Sequence, residues 1–212
     1  MPTKKYPLER GGKPRLELTW KLGWSDFEIK LDGQQIGHID GKARELKAGR
    51  EFRLPDGRQL RIQFVQKLTA AELQVLLDGE PLPGSGSDPE QQLKGAYGVM
   101  YFVAVASCIA GLLGALGVEL MVRMGFNVVA VFIGVVFAGL AWAVQTYRSA
   151  VALGIGIALF AIDGVLGLIT MVGAGSSAGA GGIVVKVLFI VVMARGFAAI
   201  RALRGRERPA AT

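Results

Sequence analysis

Four long apolar runs fill the C-terminal half of this 212-residue chain, and each has the length of a membrane-spanning helix. A helix needs about 20 mainly apolar residues to cross the hydrocarbon core of a bilayer, because each residue adds about 1.5 Å. Backbone groups in lipid must bond within their own segment, so such runs form helices. The sequence therefore predicts an integral, multi-pass membrane protein with a four-helix transmembrane domain over 96–203, its helices spanning 96–118, 127–145, 151–172 and 183–203.

Charge is distributed unevenly along the chain. Residues 1–94 hold 16 Lys and Arg against 14 Asp and Glu, whereas residues 95–212 hold 8 against 3. Most of the net charge of +7 therefore lies in the apolar half, where basic residues follow lipid and topology rules. We expect no nucleic-acid partner, and we expect the basic C-terminal tail, 204–212, to meet anionic lipid headgroups.

Residues 15–82 have the alternating pattern of short β-strands. Apolar and polar residues alternate in 16–20 and 27–31, as in half-buried strands. Asp-Gly pairs begin at Asp32, Asp40, Asp56 and Asp78, and they favour tight hairpins because glycine accepts a positive φ. We predict a small antiparallel all-β domain, a sandwich or an open barrel, with about six strands near 16–22, 27–31, 35–39, 51–54, 59–66 and 72–77.

Two further features bear on this β domain. The aromatic residues Trp20, Phe27, Phe52 and Phe64 are expected in its core, whereas Trp24, in a turn, is a candidate for exposure. Residues 27–37 also resemble 73–84, each with an apolar strand followed by Leu-Asp-Gly. Either two strand-turn units occupy equivalent places in the sheets, or the same hairpin chemistry simply recurs.

The segments that flank the β domain have the composition of connectors. Residues 1–14 are rich in proline and glycine and are predicted to be a flexible leader. Residues 83–95 are predicted to be a linker and the start of a juxtamembrane helix. Asp88 is the expected helix cap, because Asp favours the N-cap position and Pro89 suits the first helical position. That helix should continue without a break into the first span.

The basic residues beside the spans predict the orientation. With four crossings, both termini lie on one side, together with Lys94, Arg148, Arg201, Arg204, Arg206 and Arg208. The opposite side receives Arg123, four residues from Glu119. The positive-inside rule then places both termini in the cytoplasm, in a bacterial-type plasma (inner) membrane. The basic N-terminus lacks the apolar core of a secretory signal, which agrees with this orientation.

Asp163 is the residue of the predicted spans that most invites a functional role. A carboxylate inside a membrane is costly unless it is paired or protonated. Counting helical rise from the third connection places Arg195 nearer to Asp163 in depth than Lys186, so we predict an Asp163–Arg195 intramembrane ion pair, with Lys186 reaching the headgroups. A structural pair that fixes helix register is favoured over a proton or ion relay, which usually aligns several ionisable groups.

The remaining chemistry-bearing residues predict neither catalysis nor a cofactor. The chain has one histidine, His38, and one cysteine, Cys108, so neither a disulfide within the chain nor a zinc site of His and Cys is expected. No catalytic, cofactor-binding or metal-binding set stands out. Small residues recur at helical spacing, as in 110–114, 134–138 and 152–156, and favour close packing within the bundle before contact between copies.

Three functions follow from these features, in order of preference. The first is a non-enzymatic scaffold or accessory subunit that presents a cytoplasmic β domain to another protein, or forms a homo-oligomer. The second is a small transporter or oligomeric channel that uses the buried Asp163 and Arg195. A membrane enzyme ranks last.

Overall fold

The structure is a computed structural model that describes residues 1–21, 25–40, 43–66, 71–173 and 180–207. The chain divides into two units, Met1–Gln91 and Gln92–Thr212. The described residues of the first unit form eight strands and a short helix, and the helix that begins at Pro89 continues into the second unit. The described elements, in chain order, are β1 (Thr3–Pro7), β2 (Pro14–Lys21), β3 (Ser25–Leu31), β4 (Gln34–Ile39), α1 (Ala43–Ala48), β5 (Arg50–Arg53), β6 (Gln59–Gln66), β7 (Ala71–Leu77), β8 (Glu80–Pro81), α2 (Pro89–Ala115), α3 (Glu119–Arg123), α4 (Val128–Tyr147), α5 (Ala150–Gly173) and α6 (Ala180–Glu207).

The strands form two antiparallel sheets of four, ordered β1-β2-β3-β4 and β5-β6-β7-β8. The predicted all-β fold is thus confirmed, but the count of six strands is wrong by two. The added strands are β1, at the N-terminus, and β8, whose two residues are too few to give a sequence pattern. The prediction of a tight hairpin at Asp40 is also wrong. Strands β4 and β5 belong to different sheets, and α1 lies between them in the chain.

The two sheets repeat one plan, which explains the resemblance between 27–37 and 73–84. In each sheet the third and fourth strands are joined by a two-residue Asp-Gly turn with positive φ at both residues: 51° and 84° at Asp32 and Gly33, and 50° and 84° at Asp78 and Gly79. These are the values of a type I′ hairpin. The Asp32 N–H donates to the carbonyl of Arg15 at 2.9 Å, and the Asp78 N–H donates to that of Gln59 at 2.8 Å. The strand-turn units therefore occupy equivalent places.

The predicted flexible leader, 1–14, is wrong. Its residues Thr3–Pro7 form β1, which pairs with β2 from Thr3 opposite Thr19 to Pro7 opposite Pro14. Tyr6 and Leu8 are buried in the core. The prolines misled the prediction, because Pro7 is compatible with a strand at the edge of a sheet, where it ends the strand at a shift of register.

One hydrophobic core joins both sheets. Residues from β2, β3, β6 and β7 meet in it, with Leu46 of α1. Trp20, Phe27 and Phe64 are buried there as predicted, and Phe52 is partly buried against it. The Trp20 and Phe27 rings stack at 5.3 Å. Trp24 lies outside the described residues.

The segment predicted to be a linker is built into the first unit. Leu82 and Ser85 are fully buried, and successive backbone bonds join Ser85 N to Leu82 O and Asp88 N to Ser85 O, each at 3.0 Å. The boundary between the units therefore falls after Gln91, later than the predicted 82. The helix predicted to begin at Pro89 and continue into the first span is confirmed as α2.

Four helices, α2, α4, α5 and α6, are long and apolar enough to cross a membrane. By length and composition this is a membrane protein. Helix α2 begins at Pro89, as predicted, and ends three residues before the predicted 118, and the other three helices agree with the prediction to within four residues. Glycines bring these helices together: a Cβ at Gly114 of α2 would overlap the carbonyl oxygen of Phe126, and one at Gly196 of α6 would lie 2.8 Å from the Ala96 Cβ. These glycines thus serve packing within the bundle.

Candidate functional site

An ion pair between two membrane helices is the most unusual polar feature of the helical unit. Lys186 Nζ of α6 lies 2.7 Å from Asp163 Oδ2 of α5, and it also donates a hydrogen bond to the Asp163 carbonyl oxygen at 3.2 Å. Gly164 and Gly167 of α5 leave room for this lysine side chain. An ideal Cβ built on Gly164 would lie 3.7 Å from Lys186 Cδ, and one built on Gly167 would lie 3.5 Å from Lys186 Nζ. The Lys186 side chain therefore lies along α5.

The predicted pairing of Asp163 with Arg195 is wrong, and Lys186, assigned to the headgroups, takes that place. Helix α6 begins at Ala180, three residues before the predicted start, so Lys186 lies six residues, about 9 Å, into it. The prediction counted depth from Ile183 and therefore placed Lys186 about 4–5 Å too near the start of the helix. Residues Gly164 and Gly167 were the signal it missed.

The pair lies at the periphery of the helical unit. The Asp163 side chain is 66% exposed, against 26% for Lys186. Among the described residues of this unit, the buried side chains are all apolar. Arg195 is partly buried and has interactions of its own. Among the ion pairs that the structure describes, the partner of Asp163 is Lys186.

Three arginines lie close together near the C-terminal end of α6: Arg201, Arg204 and Arg206. Arg204 donates a hydrogen bond from Nη2 to the carbonyl oxygen of Arg148 at 3.1 Å, which fixes the end of α6 beside the α4–α5 connection. Arg148 is the C-cap of α4 with φ 47°, and Arg204 thereby satisfies a carbonyl at a helix end. Arg201 and Arg206 are exposed, and Arg208 lies outside the described residues.

At the other end of the spans, α3 carries a pair of opposite charges: Arg123 contacts Glu119 one turn earlier in this short helix. Tyr97, Tyr101, Trp142 and Tyr147 lie toward the basic end, and the Tyr101 hydroxyl donates to Gln145 Oε1 at 3.0 Å. Aromatic residues of this kind favour the interface between hydrocarbon and headgroups.

Asp88 caps α2 as predicted. Its Oδ1 accepts a hydrogen bond from the Glu90 N–H at 3.2 Å, and its Oδ2 accepts one from the Gly84 N–H at 2.8 Å. Arg10, from the loop between β1 and β2, lies 3.5 Å from the same carboxylate and also contacts Glu90. Asp88 is nearly fully buried, so these bonds compensate a charge removed from water.

A second polar cluster, which the sequence did not predict, surrounds His38 in the first unit. Its Nε2 lies 2.6 Å from Asp40 Oδ1 and 3.1 Å from Asp26 Oδ1. The three ligand atoms lie within 4.8 Å of one another, a set that a divalent metal accepts. However, Lys21 also contacts Asp26, and its hydrogen bond lowers the pKa of that carboxyl. An ammonium already occupies one side of the cluster, so we assign it no metal.

Cross-strand pairing explains how this cluster forms. Strands β3 and β4 pair with Glu28 opposite His38 and Phe27 opposite Ile39, which sets Asp26 opposite Asp40 one step further. The prediction from sequence found no partners for His38, because the carboxylates reach it through the register of the paired strands and not through their positions in the sequence.

Comparison of the chain with protein-family models, with curated proteins and with solved structures finds no match.

Proposed function

We propose that this protein is a non-enzymatic membrane scaffold or accessory subunit, anchored by its helices and presenting its β unit to another protein. The observation that carries this proposal is the apolar character of the helical core. Every buried side chain among the described residues of that unit is apolar, and its mid-span carboxylate lies at the periphery. A conduit through one bundle would need polar groups along its interior. This core supports anchoring instead.

The β unit supports the same proposal because it is a folded module with a polar surface. Two of its edge strands carry charges that discourage pairing with other chains, Lys4 and Lys5 in β1 and Arg50 and Arg53 in β5. The sheet faces are the surfaces that we propose for the partner. On the outer face of the first sheet, Glu17 pairs with Lys5 at 3.2 Å, and Glu28 pairs with Lys30 at 3.0 Å.

Orientation and location belong to the proposal as well. The contact of Arg204 with Arg148 supports one basic end for the spans, and the charges of α3 nearly cancel. The positive-inside rule then assigns both termini to the cytoplasm of a bacterial-type plasma membrane. The exposed Arg201 and Arg206 would meet anionic lipid, at about 1 kcal/mol per basic residue.

The experiment that tests the scaffold is photo-crosslinking in living cells. A photoreactive amino acid replaces Glu17 on the face of the first sheet, Arg61 on that of the second, or Val135 of α4 as a control. We expect one discrete adduct with a different protein from a β-unit position and none of the same mass from Val135. If neither sheet face gives an adduct under conditions in which the probe reacts, the proposal is wrong.

The competing function is a small transporter or oligomeric channel that uses Asp163. Purified protein in liposomes tests it by flux of protons, sodium and potassium, with Asp163→Asn as the matched variant. We expect no flux above protein-free vesicles from either protein. Flux from the natural chain that Asp163→Asn abolishes would favour transport over scaffolding.

A further inference from the structure

In a single copy of the helical unit, the Asp163 carboxylate would face the hydrocarbon of the membrane, where a charged group is costly. It belongs to the candidate span Ala150–Ile169, and two-thirds of its side chain is exposed. Ile162 and Leu166, its neighbours on the helix surface, are exposed to a similar extent. A charged group facing hydrocarbon is costly, and such groups almost always face protein or water. The pairing with Lys186 neutralises the charge but leaves the carboxylate uncovered.

The glycines of this region distinguish it from the packed parts of the helical unit. An added Cβ would clash with a neighbouring helix at Gly111 and Gly134, and with the backbone before α4 at Gly114. By contrast, a Cβ added at Gly164 or Gly167 would meet the Lys186 side chain at ordinary contact distances, 3.7 and 3.5 Å. The face of α5 formed by Leu159, Ile162, Asp163 and Leu166 is exposed and therefore lies outside the packed core. We call it the Asp163 face.

We propose that the Asp163 face binds a second copy of this chain across a two-fold axis along the membrane normal. Asp163 Oδ2 and Lys186 Nζ are 2.7 Å apart and so lie at one depth. A second copy inserted in the same orientation supplies both charges at that same depth. Each carboxylate can then accept from the Lys186 of the other copy, which closes a ring of four charges. A different protein would need its own matching charge at this depth.

The surrounding residues suit such an interface. A two-fold contact uses the same patch on both copies, so the patch must be complementary to itself. Opposite charges side by side, flanked by exposed leucines and backed by glycines, meet that requirement. The dimer covers the carboxylate with protein and removes its exposure to hydrocarbon. This inference is independent of what the β unit binds.

Cysteine crosslinking in membranes tests the dimer. In a Cys108→Ser background, Leu166→Cys places a thiol one turn from Asp163, and Val135→Cys places one on α4. The two natural side chains have matching exposure, 57% and 59%. After mild oxidation we expect a disulfide-linked dimer from Leu166→Cys that does not depend on expression level, and none from Val135→Cys. Equal yields from both positions, or no dimer from Leu166→Cys, would overturn the proposal.

Charge variants in the same background test the role of the ion pair. Replacing Asp163 by leucine should reduce the Leu166→Cys crosslink about tenfold, since two polar contacts across membrane helices together contribute on the order of 1.4 kcal/mol. The exchanged variant, Asp163→Lys with Lys186→Asp, should keep the crosslink. Asp163→Asn serves if the leucine variant is not inserted. An undiminished crosslink in both the leucine and asparagine variants would overturn the role of the charges.

Discussion

At the scale of single residues, Asp88 shows how one buried charge can be satisfied by backbone and side chain together. It accepts from the N–H groups of Gly84 and Glu90 and lies beside Arg10. The predicted helix cap was read from Asp before Pro, which is a local signal. Its second task, binding Arg10 from a loop far earlier in the chain, depends on tertiary structure and had no signal in the sequence.

Removing this carboxylate should weaken the start of α2. We predict that Asp88→Ala destabilises the segment 84–92 by about 1–2 kcal/mol, because a cap is lost and buried N–H groups are left unsatisfied. Hydrogen exchange of the full-length protein in detergent measures this locally. Glu90→Gln, which changes the exposed partner of Arg10, is the control and should have a smaller effect. Unchanged exchange in Asp88→Ala would show that the cap contributes nothing.

The Asp32–Arg15 pair predicts a dependence on pH. Arg15 Nε donates to Asp32 Oδ1 at 2.9 Å, and this hydrogen bond lowers the pKa of Asp32. A carboxyl with a lowered folded-state pKa contributes stability above its unfolded-state pKa, and this contribution is lost as the pH falls through the folded-state value. Asp32→Asn removes the charge and keeps a residue that tolerates positive φ.

We therefore expect Asp32→Asn to be slightly less stable than the natural protein at neutral pH, with the difference disappearing in acid. Urea unfolding across pH 2 to 7 measures it, followed by Trp20 fluorescence in a background in which Trp24 and Trp142 are replaced by phenylalanine. Asp78→Asn, at the equivalent turn but without an arginine partner among the described ion pairs, is the matched control. A difference that grew as the pH fell would contradict the assigned sign.

At the scale of elements, the sequence predicted those strands and helices that short local patterns determine. Alternation and Asp-Gly turns identified six of the eight strands, and length with apolarity identified the four spanning helices. β1 was missed because its proline, Pro7, is typical of loops, although an edge strand accepts it. The partner of Asp163 was missed because it depends on where α6 begins and on how α5 and α6 pack against each other, which a count of residues between helices does not contain.

The close contact of Gly114 with Phe126 makes a prediction for α2. An added methyl group would overlap a backbone carbonyl, so Gly114→Ala should destabilise the helical unit by about 1–3 kcal/mol. Gly98→Ala, in the same helix with open space around it, should be neutral or stabilising because alanine favours helix. Thermal unfolding in detergent, followed by labelling of Cys108 with a thiol-reactive dye, compares them. Equal unfolding temperatures would contradict the packing.

At the scale of the whole molecule, the basic residues beside the spans predict that both termini lie on one side of the membrane. Reporters fused after Arg206 and within the connection near Met124 test it. We predict that fluorescent protein is active after Arg206 and alkaline phosphatase is active near Met124, because the former requires the cytoplasm and the latter the periplasm. The reverse pattern would contradict the positive-inside assignment, while activity of one reporter at both positions would contradict the three crossings, α4, α5 and α6, between them.

A scaffold works in complex with another protein, so the native assembly of this chain decides whether the proposed function holds. Native mass spectrometry of the protein, extracted at natural abundance in mild detergent, measures that assembly. The chain has a mass of 22.5 kDa, so copies of it alone give whole multiples of that value. We predict a complex that holds two copies together with additional protein mass. A species of 22.5 kDa, or masses that are only whole multiples of it, would contradict the scaffold.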